Sequence, residues 1–218
     1  MPRRRSGDGA AASAYPAPDR GLRGTVAGTH DARLAKGART RIALLEALVA
    51  LIDERNSHPT IPDVADRAGV SVRIVYHHFG GIRELLVAAV GLQADRHRDL
   101  LFTIPPRGST HLRITALCRQ RRLYFEQVTP VFLVALARAR GEAGLDVLLG
   151  DDRAALREQL ARTLAPELAS RKEGAPELLD ALELATGWDA WRALRGAGAR
   201  TAPSAERVMA LTATSLLA

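Results

Sequence analysis

The sequence has 218 residues, of which 47% are hydrophobic and 25% are charged, and this length suits one substantial core or a small domain attached to a larger one. Its single cysteine, Cys118, excludes an intrachain disulfide and lacks the spaced Cys and His partners of a zinc site. No apolar run approaches the ~18 residues of a membrane span. The first arginines are not followed by the apolar stretch of a signal peptide, so we expect a cytoplasmic protein without membrane contact.

The net charge of +7 is concentrated near the N-terminus, where residues 1–42 carry nine Lys or Arg and three Asp or Glu. Residues 1–36 are rich in Gly, Ala, Pro, Arg and Ser without periodicity, which predicts a disordered basic arm. Such an arm suits a polyanion such as DNA, and a solubilising tail is the alternative interpretation.

From Ala38 onward, apolar residues recur at helical spacing and no segment alternates with the period of a strand, so the fold class predicted is all-α. Gly and Pro residues, Pro130 among them, mark most of the predicted helix ends. The predicted helices cover residues 38–55, 61–68, 72–78, 82–102, 111–128, 130–140, 151–171, 176–195 and 203–217.

Two unusually short helices lie in the segment TIPDVADRAGVSVRIVYHHFGGIRELL, residues 60–86. Thr60 and Ser71 are predicted N-caps of the two helices, and Gly69 can take the positive φ that a three-residue turn requires. The small side chain of Ala65 lets the two helix axes cross closely. These features are typical of a helix-turn-helix, whose second helix lies in the major groove of DNA.

The same segment resembles the DNA-binding signature of the tetracycline-repressor (TetR) family of bacterial regulators. The motifs that carry the resemblance are Thr60, Val64-Ala65, Ala68-Gly69-Val70-Ser71, and Tyr76 with Phe79. It covers residues 40–90 and implies a three-helix DNA-binding domain over residues 37–82. A C-terminal helical domain for ligand binding and dimerisation is implied over residues 83–218. One departure is Ile82, where the family commonly has a lysine that meets a phosphate.

The predicted recognition helix begins at Ser71 and turns Val72, Arg73, Ile74 and His77 outward. Arg73 is the first candidate for base recognition, because its fork matches guanine O6 and N7; a phosphate clamp is the alternative. The amides at Gly81 and the charge of Arg83 can replace the missing lysine. The predicted DNA contacts are Arg39, Arg41, Thr60, Ser71, Val72, Arg73, Ile74, Tyr76, His77, Gly81 and Arg83.

The later helices have two predicted roles, effector binding and dimerisation, and ordinary core packing is the alternative for each. Arg121 is expected to fix a polar or anionic group of the effector. The predicted pocket residues are Phe102, Leu117, Arg121, Tyr124, Phe125, Phe132 and Leu136. The predicted dimer contacts are Leu178, Leu182, Ala185, Trp188, Val208, Leu211, Thr212 and Ser215.

An enzyme is not indicated, because Cys118 lacks an orienting partner and the sequence has neither a Gly-rich phosphate loop nor a paired-His metal spacing. An architectural DNA protein would leave some 115 further helical residues without a role. The sequence therefore predicts a homodimeric repressor that a small molecule releases from a palindromic double-stranded operator, with no metal or cofactor. The alternative is an activator or constitutive regulator of the same fold.

Overall fold

The computed structural model describes residues 23–54, 58–102, 104–139, 143–171 and 173–218, with side chains from Ala32 onward except at 143–146 and 148. These residues form α-helices and contain no strand, which confirms the predicted fold class. None of the described helices is long and apolar enough to cross a membrane. The helices are α1 (Arg23–Asp53), α2 (Ile61–Ala68), α3 (Val72–His78), α4 (Ile82–Arg96), α5 (Thr110–Arg138), α6 (Ala143–Thr163), α7 (Ala165–Ser170), α8 (Ala175–Thr186), α9 (Trp188–Arg195) and α10 (Ala202–Leu216).

The chain divides into two compact units, one ending at Thr40 and the other covering Arg41–Ala218. In place of the disordered arm predicted for residues 1–36, residues 23–36 are helical; residues 1–22 lie outside the described residues. The stretch ARLAK at 32–36 consists of residues with high helix propensity. Because extending an existing helix costs far less than nucleating one, local propensity carries α1 past the predicted start at residue 38.

Helix α2 and the turn after it have the geometry that the sequence predicts. Thr60 is the N-cap and forms a capping box with Asp63, whose carboxylate accepts a 2.8 Å bond from the Thr60 amide. Gly69 adopts the left-handed conformation at φ 66° and ends α2. Ser71 precedes α3 in extended backbone, without a side-chain capping bond. The turn between α2 and α3 is therefore specified locally.

Helix α5 is the centre of the larger unit, with α4, α6, α9 and α10 packed against it. The sequence predicts a break at Pro130, but α5 continues through this residue. A proline removes only one backbone hydrogen bond from the helix. Val128, Val131 and Phe132 on either side are fully buried, and this packing holds the helix together across the missing bond.

Other helix boundaries differ from the prediction because tertiary contacts decide them. The helix predicted for 82–102 ends at Arg96 and is followed by a 3-10 turn at Arg98–Leu100. The helix predicted for 151–171 starts already at Ala143 and divides at Leu164. The helix predicted for 176–195 divides at Gly187, where the backbone becomes extended.

A buried ion pair fastens α7 to the N-terminal half of α5. Arg113 donates to both carboxylate oxygens of Glu167 and to the Thr163 carbonyl, and Thr110 adds a bond to the same carboxylate. These hydrogen bonds offset the cost of removing the two charges from water. They lower the pKa of Glu167, against burial, which acts to raise it.

Gly187 separates α8 from α9 with extended backbone, at a position where a side chain has no room. A Cβ at this position would lie 2.8 Å from the Glu183 carbonyl oxygen, a backbone atom that cannot rotate away. By contrast, a Cβ on Gly150, inside α6, would meet nothing within 4 Å. The backbone therefore excludes a side chain at Gly187, whereas it leaves room for one at Gly150.

We expect Gly187→Ala to lower the free energy of unfolding by about 1–3 kcal/mol, because the backbone must shift to relieve the clash. The matched variant Gly150→Ala should raise it by about 0.5–1 kcal/mol, since alanine is the better helix former. Urea denaturation followed by circular dichroism at fixed protein concentration measures both. Equal destabilisation by the two variants would contradict the assignment of a close approach at Gly187.

Candidate nucleic-acid interface and interior cavity

Helix α3 exposes nearly all of its side chains. Val75 is fully buried against α2, whereas Val72, Ile74 and Tyr76 are 39%, 38% and 54% exposed, and Arg73 and His77 are exposed as well. With one turn per 3.6 residues, a seven-residue helix that buries Val75 must turn the other side chains outward. The result is a short mixed apolar and basic surface, about 10 Å long, of the size that enters a major groove.

Arg41 holds the end of α3 in place. Its guanidinium carbon lies 4.1 Å from the centroid of the Phe79 ring, and its Nη1 donates a 3.0 Å hydrogen bond to the His78 carbonyl. Both contacts tie α1 to the C-terminal end of the candidate recognition helix. The sequence predicts a DNA contact here, and the structure adds a positioning role that the sequence analysis missed.

His78 differs from its exposed neighbour His77 in being partly buried. Burial lowers the pKa of His78, and the positive charges of His77 and Arg41 act in the same direction. The neutral form of His78 is therefore favoured near neutral pH. The two histidine rings lie edge to face, with centroids 5.4 Å apart and planes inclined at 72°.

The remaining predicted DNA contacts lie around α3 with varied exposure. Thr60 and Ser71 are exposed at the N-termini of α2 and α3, although the Thr60 hydroxyl is already bonded to Asp63. Gly81 is half-buried as the N-cap of α4, and Arg83 is exposed on its first turn. Arg39 is exposed in the unit that ends at Thr40, and its predicted contact stays a prediction.

A cavity of about 480 Å³ lies between α5, α6, α8 and α9. Its wall is partly apolar and partly charged, and helix α4 contributes no residue to it. The lining residues are Arg121, Phe132, Leu136, Leu149, Gly150, Asp152, Arg153, Leu156, Glu183, Leu184, Gly187, Trp188, Asp189 and Arg192.

Three of the seven predicted pocket residues line this cavity, namely Arg121, Phe132 and Leu136. Tyr124 lies behind the wall and bonds to the lining residue Asp152. The other three do not reach it. Leu117 and Phe125 are buried in the core. Phe102 is 63% exposed, because the chain leaves helical geometry before this residue and turns the side chain outward.

Arg121 is fully buried, and its guanidinium group forms hydrogen bonds within the protein. Nη1 donates to the carbonyl and hydroxyl oxygens of Thr186 on α8, and Nη2 donates to the Leu156 carbonyl on α6. Nε donates to Gln159, also on α6. Burial lowers the pKa of Arg121 to about 10, so it stays charged at neutral pH. The predicted role of holding an anionic effector is therefore replaced by a structural role.

Asp152 was not predicted from the sequence, yet it is the most deeply buried carboxylate of the wall, at 5% exposure. It accepts a hydrogen bond from the Tyr124 hydroxyl. Burial raises the pKa of Asp152 despite this bond, because the charged form loses hydration. No spacing in the sequence indicates that this face of α6 turns inward.

Trp188 and Glu183 complete the cavity wall. The Trp188 ring packs edge-to-face on Phe132 at 5.6 Å, and its Nε1 donates to Thr129. Glu183 is bonded by Arg153 and Arg157, which lower its pKa although burial acts to raise it. Trp188 was predicted as a dimer contact, but its ring belongs to the cavity.

The residues predicted for the dimer interface divide by helix. On α8, Leu178 and Leu182 are buried within the chain, so this stripe serves the intramolecular core. Ala185 is half-buried, as is Val208 on α10, whereas Leu211, Thr212 and Ser215 on α10 are exposed. The exposed Leu184 on α8 was missed, because an inward stripe and an outward stripe look alike in a helix that is apolar on several sides.

Cys118 is buried in the core, and burial raises the pKa of its thiol to about 12, which makes it a poor nucleophile. Among the described residues, no group of three His, Cys, Asp or Glu side chains is placed to hold a metal ion.

Comparison with known proteins gives a family match in the part of the chain that contains α2 and α3. Residues 44–89 match the model described as bacterial regulatory proteins, tetR family. The chain is 34% identical over 79 residues to the HTH-type transcriptional regulator BetI of Brucella abortus. The match spans 35% of this chain and 40% of that relative's length.

Solved structures agree over a longer part of the chain. A tetR-family regulator from Streptomyces coelicolor matches with a TM-score of 0.64 at 19% identity, over 82% of this chain and 79% of that one. A tetR-family regulator from Rhodococcus sp. matches with a TM-score of 0.61 at 22% identity, over 83% of this chain and all of that one. These likenesses establish the fold. The helix-turn-helix match over residues 44–89 supports a DNA-binding transcriptional regulator of the tetR family.

Proposed function

We propose that this protein is a homodimeric repressor that binds a two-fold symmetric DNA operator and is released from it by a small molecule in the cavity. The observation that carries the proposal is the exposed face of α3. Its side chains are not needed for packing, and it follows a capped, tightly turned helix in a segment that matches the tetR family.

Each exposed residue of α3 has a role in this proposal. Arg73 reads a guanine through paired hydrogen bonds, and Val72 and Ile74 contact thymine methyl groups. Tyr76 and His77 donate to phosphates and fix the register of the helix on the duplex. Arg41 keeps the end of α3 in position through the Phe79 ring and the His78 carbonyl.

Dimerisation supplies the specificity that one helix lacks. A single α3 covers too few base pairs to select one site in a genome, and a two-fold dimer doubles the site. We place the interface on α8 and α10, where Leu184, which also lines the cavity, and Leu211 are 66% and 68% exposed beside the exposed Thr212 and Ser215. The two α3 helices must then lie ~34–36 Å apart.

Release requires a path from the cavity to the helix-turn-helix, and α5 provides it. Phe132 and Leu136 line the cavity from α5, and the same helix ends at the half-buried Arg138. Arg138 Nη1 donates a 2.6 Å hydrogen bond to the carbonyl of Pro59, next to the N-cap of α2. A ligand that shifts the end of α5 thus moves the helix-turn-helix, with coupling of typically ~1–3 kcal/mol.

The proposal is tested first by selecting duplexes from a random library with the full chain. We expect a two-fold symmetric consensus, and light scattering of the purified complex should give an even number of chains for each duplex. Enrichment of asymmetric sites bound by one chain would overturn the dimeric reading of the operator. A consensus that no small molecule ever releases would leave the alternative, a constitutive regulator.

On the selected operator, we expect Arg73→Ala to cost about 1–3 kcal/mol of binding free energy and to relax one base position in each half-site. The control is Arg162→Ala on α6, which removes an exposed arginine paired with Glu158. Fluorescence anisotropy on duplexes with every base at the affected position measures both. Equal loss on all duplexes would mean that Arg73 contacts only phosphate.

We expect Arg138→Ala to loosen the start of α2, because the buried Pro59 carbonyl loses its donor. A hydrogen bond of this kind contributes about 0.5–1.5 kcal/mol, so amide exchange at Asp63 and Val64 should accelerate about 2- to 10-fold. Hydrogen exchange followed by NMR measures this, with Arg162→Ala again as the control. Unchanged exchange in α2 would refute α5 as the connecting element.

A further inference from the structure

One carboxylate oxygen of Asp152 has no partner in the part of the chain that the structure describes. Oδ1 accepts the hydrogen bond from Tyr124, and Oδ2 has no hydrogen-bond partner among the described residues. The side chain is 95% removed from solvent, since only 5% of the residue is exposed. Because Oδ2 is nevertheless not sealed off from solvent and Asp152 lines the cavity, this oxygen faces the cavity.

The other carboxylates that line the cavity already have cations. Glu183 is paired with Arg153 and Arg157, and Asp189 is paired with Arg192. Asp152 has no ion pair with any arginine in the described part of the chain. A buried carboxylate without a cation is costly, and burial raises the pKa of Asp152 for that reason.

Arg121 does not supply the missing partner. It lines the same cavity, but each of its three guanidinium nitrogens donates to Thr186, Leu156 or Gln159, and none donates to Asp152. The charges of Arg98 and Arg121 both lower the pKa of Asp152, neither forms an ion pair with it, and burial outweighs their effect. Most of these donors are therefore not available to an acidic ligand. Oδ2 of Asp152 would also repel the negative charge of such a ligand.

The rest of the cavity wall suits an apolar or aromatic part of a ligand. Phe132 and Trp188 pack edge-to-face, and Leu136 and Leu149 extend the apolar surface. Aromatic faces also attract cations, by about 0.5–2 kcal/mol depending on desolvation. The volume of about 480 Å³ is within the range of small-molecule sites.

We propose that the cavity binds a small amphipathic amine, whose ammonium group pairs with Oδ2 of Asp152 and whose apolar body lies against Phe132 and Trp188. This assignment rests on the proposed function, because it names the class of molecule that occupies the effector site. The ammonium group supplies the counterion and the hydrogen-bond donor that this oxygen lacks among the described residues.

The test uses the full chain and three probes of matched shape, namely phenylbutylamine, phenylbutanol and phenylbutyrate. Isothermal calorimetry gives the affinities, and the change in tryptophan fluorescence, to which Trp188 and the buried Trp191 both contribute, reports saturable binding. We expect the amine to bind at least about tenfold more tightly than the alcohol or the acid, as one partly buried ion pair warrants. Tightest binding by phenylbutyrate, equal binding of all three, or no saturable binding of the amine would overturn the proposal.

Asp152→Asn should reduce the amine to the affinity of the alcohol and leave the alcohol unchanged. The matched control is Asp151→Asn, which makes the same change of charge at the preceding, exposed residue of α6 and should keep the preference for the amine. Thermal unfolding by circular dichroism shows whether the variants fold. The probe series on the unmodified chain decides the question even if Asp152→Asn does not fold.

Operator binding separates this inference from the proposed function. If the amine binds with the expected preference and the operator complex is unaffected, the amine site stands and the release mechanism fails. If the operator complex forms normally and no preference for the amine exists, the regulator stands and the ligand class is wrong.

Discussion

The packing of α5 against α6 and α8 depends on the buried cation Arg121. Arg121 has no exposed surface, and from α5 it donates to acceptors on α6 and α8. A buried guanidinium that loses such acceptors costs several kcal/mol, so the three helices cannot separate without a large loss of stability. The same bonds define the cavity, because its walls are built on those helices. Arg121, which the sequence alone suggests as a ligand contact, thus holds together the helices that form the cavity.

The helix-turn-helix could be predicted in detail because its signals are local. The Thr60 capping box, the left-handed Gly69 and the burial of Val75 each follow from residues within one or two turns. The long helices were less predictable, since their ends depend on distant contacts. Pro130 lies inside α5 because neighbouring residues are buried, and Gly187 ends α8 where a Cβ would clash with the Glu183 carbonyl oxygen.

The exposed face of α3 and the cavity also differ in how far the sequence predicts them. The outward residues of α3 can be predicted from their spacing around Val75. The residues that line the cavity can be identified only once the packing of four helices is known. Arg121 and Phe132 were identified as pocket residues from their type, but Asp152 was not, since nothing in the sequence distinguishes it from its exposed neighbour Asp151. The outward stripe on α8 was hidden for the same reason, because Leu184 is surrounded by leucines that face inward.

Helix α3 contributes Val75 to the core and keeps Val72, Arg73, Ile74 and His77 outside it. Natural selection can therefore change these four positions without lowering the stability of the fold, since substitutions at exposed sites usually alter it by less than about 0.5 kcal/mol. A duplicated copy of the gene can acquire a new operator while every intermediate sequence still folds. This separation of recognition from stability makes the surface evolvable, and it also marks the four positions at which randomised libraries would retarget the protein.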